Sequence, residues 1–433
     1  MMFKRCYNFI ESKEILYEHQ YGFRKKYSTG HALISISEQI RTALGNNKYA
    51  IGVFVDFQKA FDTVDHNILI QKLERFGISG NCNKWFQSYL NNRRQFVSIL
   101  GFKSNQRTIS HGVPQGSVLG PLLFLLFIND LHKVIKFSTV FHFADDTNLL
   151  LIGDSPSKIQ KQMNYDLRWL YRWLLANSIS LNVAKTELII FKKPKMKTHN
   201  LKIKLNGTKL YPSKFTRYLG VFLDSDLSGV SHCNKLLPKL RRANGMLAKT
   251  RYHLSRKDII SVYYSIFSSI QNYGSQIWGL LSNPALQKID RLQKAAVRII
   301  TFADHDAHTA PIFRELRILK FHDYIKLQNI LFVYDFKKGN LPLSFRQFFD
   351  HCMDSRALTR AELNSATEFV HAAGYNQVKY GRKSITHTSV ALWNHFARHV
   401  FPEVDLISLP RNKIKLLVTN HLHNHYENIS DED

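Results

Sequence analysis

Two apolar runs that lie far apart in the chain each stop at aspartate, and this constrains the fold more than any other feature. Ala50–Val55 (AIGVFV) is free of charge and rich in β-branched residues, which predicts a buried strand ending at Asp56. Thr139–Phe143 and Asn148–Ile152 flank Ala144-Asp145-Asp146-Thr147, which predicts a β-hairpin with two acids at its turn. A carboxylate at the end of a buried strand is costly unless something compensates it. If the two strands are neighbours in one sheet, Asp56, Asp145 and Asp146 meet, and like charges there raise one another's pKa. Divalent cations resolve that conflict. Magnesium takes oxygen ligands and is commonly held by one or two carboxylates plus phosphates. Two such ions, about 3.5–4 Å apart, activate an attacking hydroxyl and neutralise a leaving pyrophosphate. Each acid also has a plainer use: Asp-Asp in an ordinary hairpin turn, Asp62 facing solvent, Asp65 capping a helix.

The flanking sequence supplies the rest of an α+β pattern. After Asp65, Ile68, Leu69, Leu73 and Phe76 repeat at helical spacing until Gly77. From Ile159, the positions Met163, Leu167, Leu170 and Leu174 mark an amphipathic helix, and Glu187–Phe191 reads as a strand. Strand, helix, hairpin, helix, strand is the order of a split βαβ sheet with helices on one face. The longest apolar stretch, Val118–Ile128, is interrupted by Gly120-Pro121 and too short to span a bilayer, so it predicts a core helix. No apolar signal-peptide core occurs in MMFKRCYNFIESKE, and Cys6, Cys82, Cys233 and Cys352 form no CxxC pair. The expectation is a soluble, intracellular protein of a reducing compartment, nucleus or cytoplasm, without membrane contact.

Charge narrows the partner. Lys plus Arg number 60 against 33 Asp plus Glu, a net +27, which suits a polyphosphate partner as well as a plainly solvated basic surface. Gly229–Phe302 is basic and helical, with Arg241, Arg242, Lys249, Arg251, Arg256 and Lys257 near its start. Those cations suit a phosphate backbone, with Tyr252, Tyr263 and Tyr264 available for stacking on bases. The remainder is mixed and mainly helical, and its His421, His423 and His425 read as a disordered tail or, less simply, a zinc site.

These residues match a family. VFVDFQKAFDTVDH (Val53–His66), GVPQGSVLGPLLFLLFINDL (Gly112–Leu131) and FHFADDTNLL (Phe141–Leu150) resemble motifs A, B and C of reverse transcriptases from non-LTR, LINE-type retrotransposons, most closely the Jockey-like group. QYGFRKKYST (Gln20–Thr29) resembles that group's fingers motif, LNVAKTELIIF (Leu181–Phe191) motif D, and RYLGVFLD (Arg217–Asp224) the primer-grip motif E. YYSIFSSIQNYGSQIWG (Tyr263–Gly279) resembles the helical thumb. FADD alone is a weak signal and GVPQGSVLGPLLF a strong one; six blocks in family order over about 200 residues are stronger still.

The resemblance implies a right-hand polymerase: partial fingers (1–49), a split βαβ palm (50–226), a basic helical thumb (227–302) and a C-terminal region of unassigned role (303–433). It implies that Asp56 and Asp145 coordinate two magnesium ions, with manganese as a substitute, that Asp146 completes the triad and that the Phe57 carbonyl adds a ligand. Phe61 would exclude a 2′-hydroxyl by steric clash. Gln115 and Gly116 would line the nucleotide pocket, where Pro114 and the glycines let the backbone approach closely. Arg24 would meet template or triphosphate, and Lys185 the leaving pyrophosphate, as a charge stabiliser or proton donor. Ala144 would lie near the primer end, Tyr218, Leu219 and Gly220 would grip the primer, and Arg241 and Arg242 would track the backbone. RNA template, DNA primer and deoxynucleoside triphosphates are the implied partners.

Three departures qualify this. No basic RPISL-like motif precedes Gln20, no endonuclease domain precedes the polymerase, and neither a CCHC knuckle nor a ribonuclease H constellation follows. The expectation is an open reading frame shortened at its N-terminus, which leaves a second reading: a weak or inactive nucleic-acid-binding remnant of such an element. A group II intron maturase is disfavoured, since the C-terminal part lacks that family's RNA-binding signature.

Overall fold

The computed structural model describes residues 1–196, 201–280, 284–353 and 384–427. They form two compact units: residues 1–32 with 47–214, and residues 33–46 with 215–433.

The first unit opens with α1 (Met2–Ser12) and the start of α2 (Thr29–Gly45), followed by β1 (Tyr49–Val55), α3 (His66–Arg75) and α4 (Gly80–Leu90). A ribbon of two-residue strands comes next: β2 (Arg94–Gln95), β3 (Ser98–Ile99), β4 (Phe102–Lys103) and β5 (Arg107–Thr108). Then come α5 (Gly120–Ile128), β6 (Thr139–Phe143), β7 (Asp146–Gly153), α6 (Pro156–Ala176) and β8 (Glu187–Phe191). β9 (Ile203–Leu205), β10 (Thr208–Leu210) and β11 (Pro212–Ser213) close the unit.

The principal sheet runs β11-β8-β1-β7-β6. β1 is antiparallel to β7, and β7 to β6, so β1 and β6 run parallel with β7 between them, the split βαβ arrangement. Period two sets its faces. Ile51, Val53 and Val55 of β1 join Leu149 and Leu151 of β7 in a core with Leu69 and Leu73 of α3, all of α5 from Leu122 to Ile128, and Leu167 and Leu170 of α6. The intervening Gly52 and Phe54 pack toward Ile189 and Phe191. Because α5 is apolar on every side, it is buried on every side. α3 begins at Asp65, whose carboxylate accepts from the Asn67 and Ile68 amides, and it yields to Gly77 at φ +85°.

The second unit holds the C-terminal part of α2, the hairpin β12 (Phe215–Tyr218) and β13 (Val221–Asp224), and a set of helices. The long ones are α7 (Val230–Thr250), α11 (Pro284–Thr301) and α13 (Phe321–Lys337), with the shorter α8 (Arg256–Val262), α9 (Ser269–Asn272), α10 (Ser275–Trp278) and α12 (Thr309–Glu315) between them. α14 (Arg346–Met353), α15 (Ile385–His395) and α16 (Arg411–Asn424) follow. α2 belongs here because of Glu38. Its fully buried carboxylate accepts from the Ile385 amide at 2.9 Å and from Thr386 Oγ1 at 2.9 Å, so it caps α15 from another helix. Burial pushes that carboxyl up, against the pull of Arg41 and the two caps.

Two expectations for this unit are corrected. Tyr263 is 1% exposed and accepts a hydrogen bond from Gln293, so it is core and not a stacking surface; Tyr252 (67%) and Tyr264 (47%) are open. The histidines are not a disordered tail: His421 and His423 lie on α16, His423 is buried, and His425 starts a final 3-10 turn. The acidic end of the chain lies outside the described residues. Among the described residues, no helix is long and apolar enough to cross a membrane.

Candidate active site

Backbone register brings the acids together. The last β1 pair is Val55 with Thr147, and the last β6 pair is Phe143 with Asp146. One step beyond Val55 along the same register, Asp56 comes opposite Asp146, with Asp145 following at the turn. Adjacent antiparallel positions place their Cβ atoms about 4.5–5.5 Å apart. Asp56 and Asp145 are half-buried and Asp146 is exposed. Neither Asp56 nor Asp145 has a cationic partner among the described residues. Two uncompensated carboxylates at neighbouring strand ends are the oxygen donors a magnesium ion takes, so the residues present fit it in donor type and backbone placement. The side chains are not drawn in: among the described residues, no three His, Cys, Asp or Glu groups converge tightly enough to hold a metal ion.

Asp56 is anchored from behind. Its carbonyl accepts from the Asn182 amide at 2.9 Å, and the Gln58 amide donates to Ser180. These two bonds bracket Phe57 against Leu181 and leave the Phe57 carbonyl out of the pairing. Asn182 also accepts from the Lys185 amide, so the exposed Lys185 stands on a 3-10 turn tied to the Asp56 backbone.

The turn carrying Asp145 has its own support, which the sequence did not reveal. Ala144 is buried with φ +56°, a left-handed conformation unusual for alanine. Residues 19–22 run along the free edge of β6: the His142 amide donates to the His19 carbonyl, and the Tyr21 amide to the His142 carbonyl at 2.8 Å. Gln20, 2% exposed, accepts with one side-chain oxygen from both the Gly22 amide (2.9 Å) and the Ala144 amide (3.2 Å). Gly22 lies so close that an added Cβ would fall on the Ala144 amide nitrogen. The available signal was QYGFR itself, in which only Arg24 draws attention by charge. Arg24, however, forms a two-pronged ion pair with Glu11 at 3.0 Å, and its side chain is 7% exposed. It lies over the Tyr27 ring, within the fold and not in an open pocket.

Motif B meets motif A through the backbone. The Gly112 amide donates to Val64 and the Val113 amide to Phe61. Gly112, at φ +90°, passes so near Asp62 that a Cβ would sit 2.9 Å from its carbonyl oxygen. Gln115 donates to the Asp62 carboxylate at 2.8 Å, and Gly116 is exposed beside it. The Phe61 ring stacks on Phe124 of α5 at 4.3 Å, which fixes it to the core.

In the second unit, Tyr218 and Val221 close a two-residue turn in which Leu219 and Gly220 both have positive φ, 43° and 83°. Tyr273 donates to the Leu219 carbonyl at 2.6 Å, a support the sequence did not signal. Arg241 and Arg242 are exposed on α7.

Behind the acid turn lies a histidine cluster. His142 Nδ1 is 2.9 Å from Thr147 Oγ1, and Tyr17 stacks on His132 and meets the edges of His19 and His142. Burial pushes His142 down to about 3 and His19 to about 4. Unfolding frees both to take a proton below 6.5, so their contribution to stability is complete above 6.5 and falls as pH drops toward 4. Each histidine can remove up to about 1.4 kcal/mol per pH unit in that window. Urea denaturation at about pH 7 and about pH 5 is expected to show this loss, and His142→Gln is expected to reduce it; a flat profile for the parent chain refutes the assignment.

A family profile for reverse transcriptase (RNA-dependent DNA polymerase) matches residues 2–223. The chain is 29% identical to a probable RNA-directed DNA polymerase from transposon BS of Drosophila melanogaster, over 72% of this chain and 36% of that protein. It is 31% identical to the RNA-directed DNA polymerase from mobile element jockey of the same species, over 72% of this chain and 34% of that protein. The chain thus spans about a third of the length of these curated relatives. A telomerase structure from Candida albicans, with a fragment of telomeric RNA, is 12% identical with a TM-score of 0.41, covering 73% of this chain and 56% of that one. The three motif blocks around the acids and the profile that runs through them agree: this chain belongs to the reverse transcriptase family, and it is similar to polymerases of Jockey-like mobile elements.

Proposed function

We propose that the chain is the polymerase core of a mobile element and extends a DNA primer on an RNA template. One observation carries the reading: the β1–β7 register sets Asp56 beside the Asp145-Asp146 turn. Asp56 and Asp145 would hold two magnesium ions, with manganese as a substitute, Asp146 completing the triad and the Phe57 carbonyl adding an oxygen. When bound, the ions would supply charge neutralisation for the primer hydroxyl and for the leaving pyrophosphate. The chain's own groups do the rest. Phe61, held by Phe124, fills the space a 2′-hydroxyl needs, and Gln115 and Gly116 border the nucleotide. Lys185, on a turn tied to Asp56, would meet the leaving phosphates or give them a proton. Tyr218–Gly220 would hold the primer, Ala144 would lie at its end, and Arg241 and Arg242 would follow its backbone. In this reading residues 1–49 supply partial fingers, 50–226 the palm and 227–302 the thumb, with 303–433 a region of unassigned role, and the protein works inside the cell.

A second reading, a strand-binding chain with weak or no catalysis, rests on the net charge of +27, which suits a polyphosphate strand whether or not the acids act. Primer extension on a homopolymeric RNA template with magnesium separates the two. Processive incorporation by the full chain supports the polymerase; retention of the template with no incorporation, with magnesium or manganese, supports the binder.

A further inference from the structure

Between Glu74 and Asp130 the chain contains no Asp or Glu, yet it carries Arg75, Lys84, Arg93, Arg94, Lys103 and Arg107. The chain's 33 acids would otherwise recur about every thirteen residues, so a 55-residue gap is a local bias, not the general surplus of base. The structure turns this segment into an arm. β2 pairs with β5 and β3 with β4, joined by the Ser104 amide donating to Val97 and the Ile109 amide to Arg93. The arm is exposed along its length: Phe96 is 44%, Ile99 66% and Phe102 84% accessible.

At the root of the arm lies a cleft of about 560 Å³, lined by Lys59, Arg93, Arg94 and His111 and by the Gly112–Gln115 loop. Its one acid, Asp62, already accepts from Gln115, and none of the three strong cations has a carboxylate partner among the described residues. A stacked ladder leads into it from α4. Trp85 and Tyr89, four residues apart, lie ring on ring at 5.5 Å and 9°, and the Arg93 guanidinium sits 5.4 Å over Tyr89. Trp85 keeps an open face, with 39% of its surface accessible. Unpaired cations around a groove, next to an aromatic platform one ring wide, are the pattern that holds single-stranded nucleic acid: the cations follow phosphates and the rings accept any base.

We propose that α4 and the root of the arm form a binding site for single-stranded RNA, the unpaired template next to the Asp62–Gln115 corner. This rests on the polymerase reading for the identity of the strand, but not for its chemistry. The cleft favours a flexible strand over a duplex because its ladder ends in the exposed Trp85 ring, a stacking partner that paired and stacked bases cannot use.

The test is fluorescence anisotropy of a labelled oligouridylate with the full chain, titrated with potassium chloride and without nucleotides. Changing Lys59, Arg93 and Arg94 together to Gln keeps the side-chain stems and removes three charges. The salt slope is expected to fall by about 2, from about 0.7 per lost phosphate contact on a single strand. Trp85→Ala with Tyr89→Ala is expected to weaken binding by about tenfold or more at an unchanged slope. Because all the cations are exposed, thermal unfolding of the triple variant serves as the folding control. An unchanged slope together with affinity within about twofold of the parent overturns the proposal. A slope change of equal size on a blunt RNA duplex overturns the single-strand assignment. Absence of incorporation by the parent chain on a primed RNA template would instead overturn the polymerase reading, and the salt slope would stand apart from it.

Discussion

Asp145→Asn is expected to lower primer extension by about a thousandfold or more while leaving the fold and template binding in place. The amide keeps the shape of the turn and can still accept a hydrogen bond, so the change isolates charge. Among the described residues neither Asp145 nor Asp56 forms an ion pair, so the loss leaves no cation there without its partner. Metal-assisted charge stabilisation contributes several kcal/mol, and each 1.36 kcal/mol is about tenfold in rate. Asp65→Asn is the matching control, because asparagine caps a helix about as well as aspartate and Asp65 serves α3. Extension by Asp145→Asn within about tenfold of the parent would remove the acid turn from the chemistry.

Gly22→Ala is expected to cost about a hundredfold in extension and a few degrees of melting temperature. The new methyl meets the Ala144 amide nitrogen and lies 3.0 Å from the Phe143 carbonyl carbon, both of them backbone atoms that no rotamer change can move aside. Neither partner can withdraw freely. Gly22 and Ala144 share the Gln20 oxygen, and Tyr21 is bonded to His142. The acid turn must therefore shift, and overpacking of this kind costs about 1–3 kcal/mol. A displacement near 1 Å at reacting groups costs about 10²-fold, far more than the stability change alone would imply. Gly30→Ala, where the added Cβ would stand 3.5 Å from Ser28 Oγ near the start of α2, is expected to be neutral or mildly stabilising. If the two alanine variants extend equally well, the edge segment does not hold the turn.

Where structure follows from nearby residues, the sequence was readable. Strand β1, the β6–β7 hairpin, α3 with its Asp65 cap and α6 lie where periodicity and punctuation put them. The meeting of the acids was readable only conditionally, since strand ends are local but strand neighbours are not. What escaped depends on residues far apart in the chain. Arg24, between the first two helices, reads as an anion-binding residue by charge, but in the fold Glu11 of α1 takes its guanidinium. Tyr263 looked exposed because its helical stretch is polar nearby, but Gln293 satisfies its hydroxyl within the core. The basic arm left no trace of period two, because its strands are two residues long and exposed on both faces. The Gln20 support was invisible for a different reason: a neutral amide shows nothing of its partners until the chain is folded.

Helix α2 is counted in both units, ending in the one that begins again at Phe215. Neither unit is therefore a single uninterrupted piece of coding sequence. A recombination event that exchanged everything downstream of Lys214 for a cousin's version would import helices whose buried Glu38 counterpart stays behind on the other parent. Lineages of such elements are then expected to inherit residues 33–46 together with the distal half, as one co-adapted set, or to lose both.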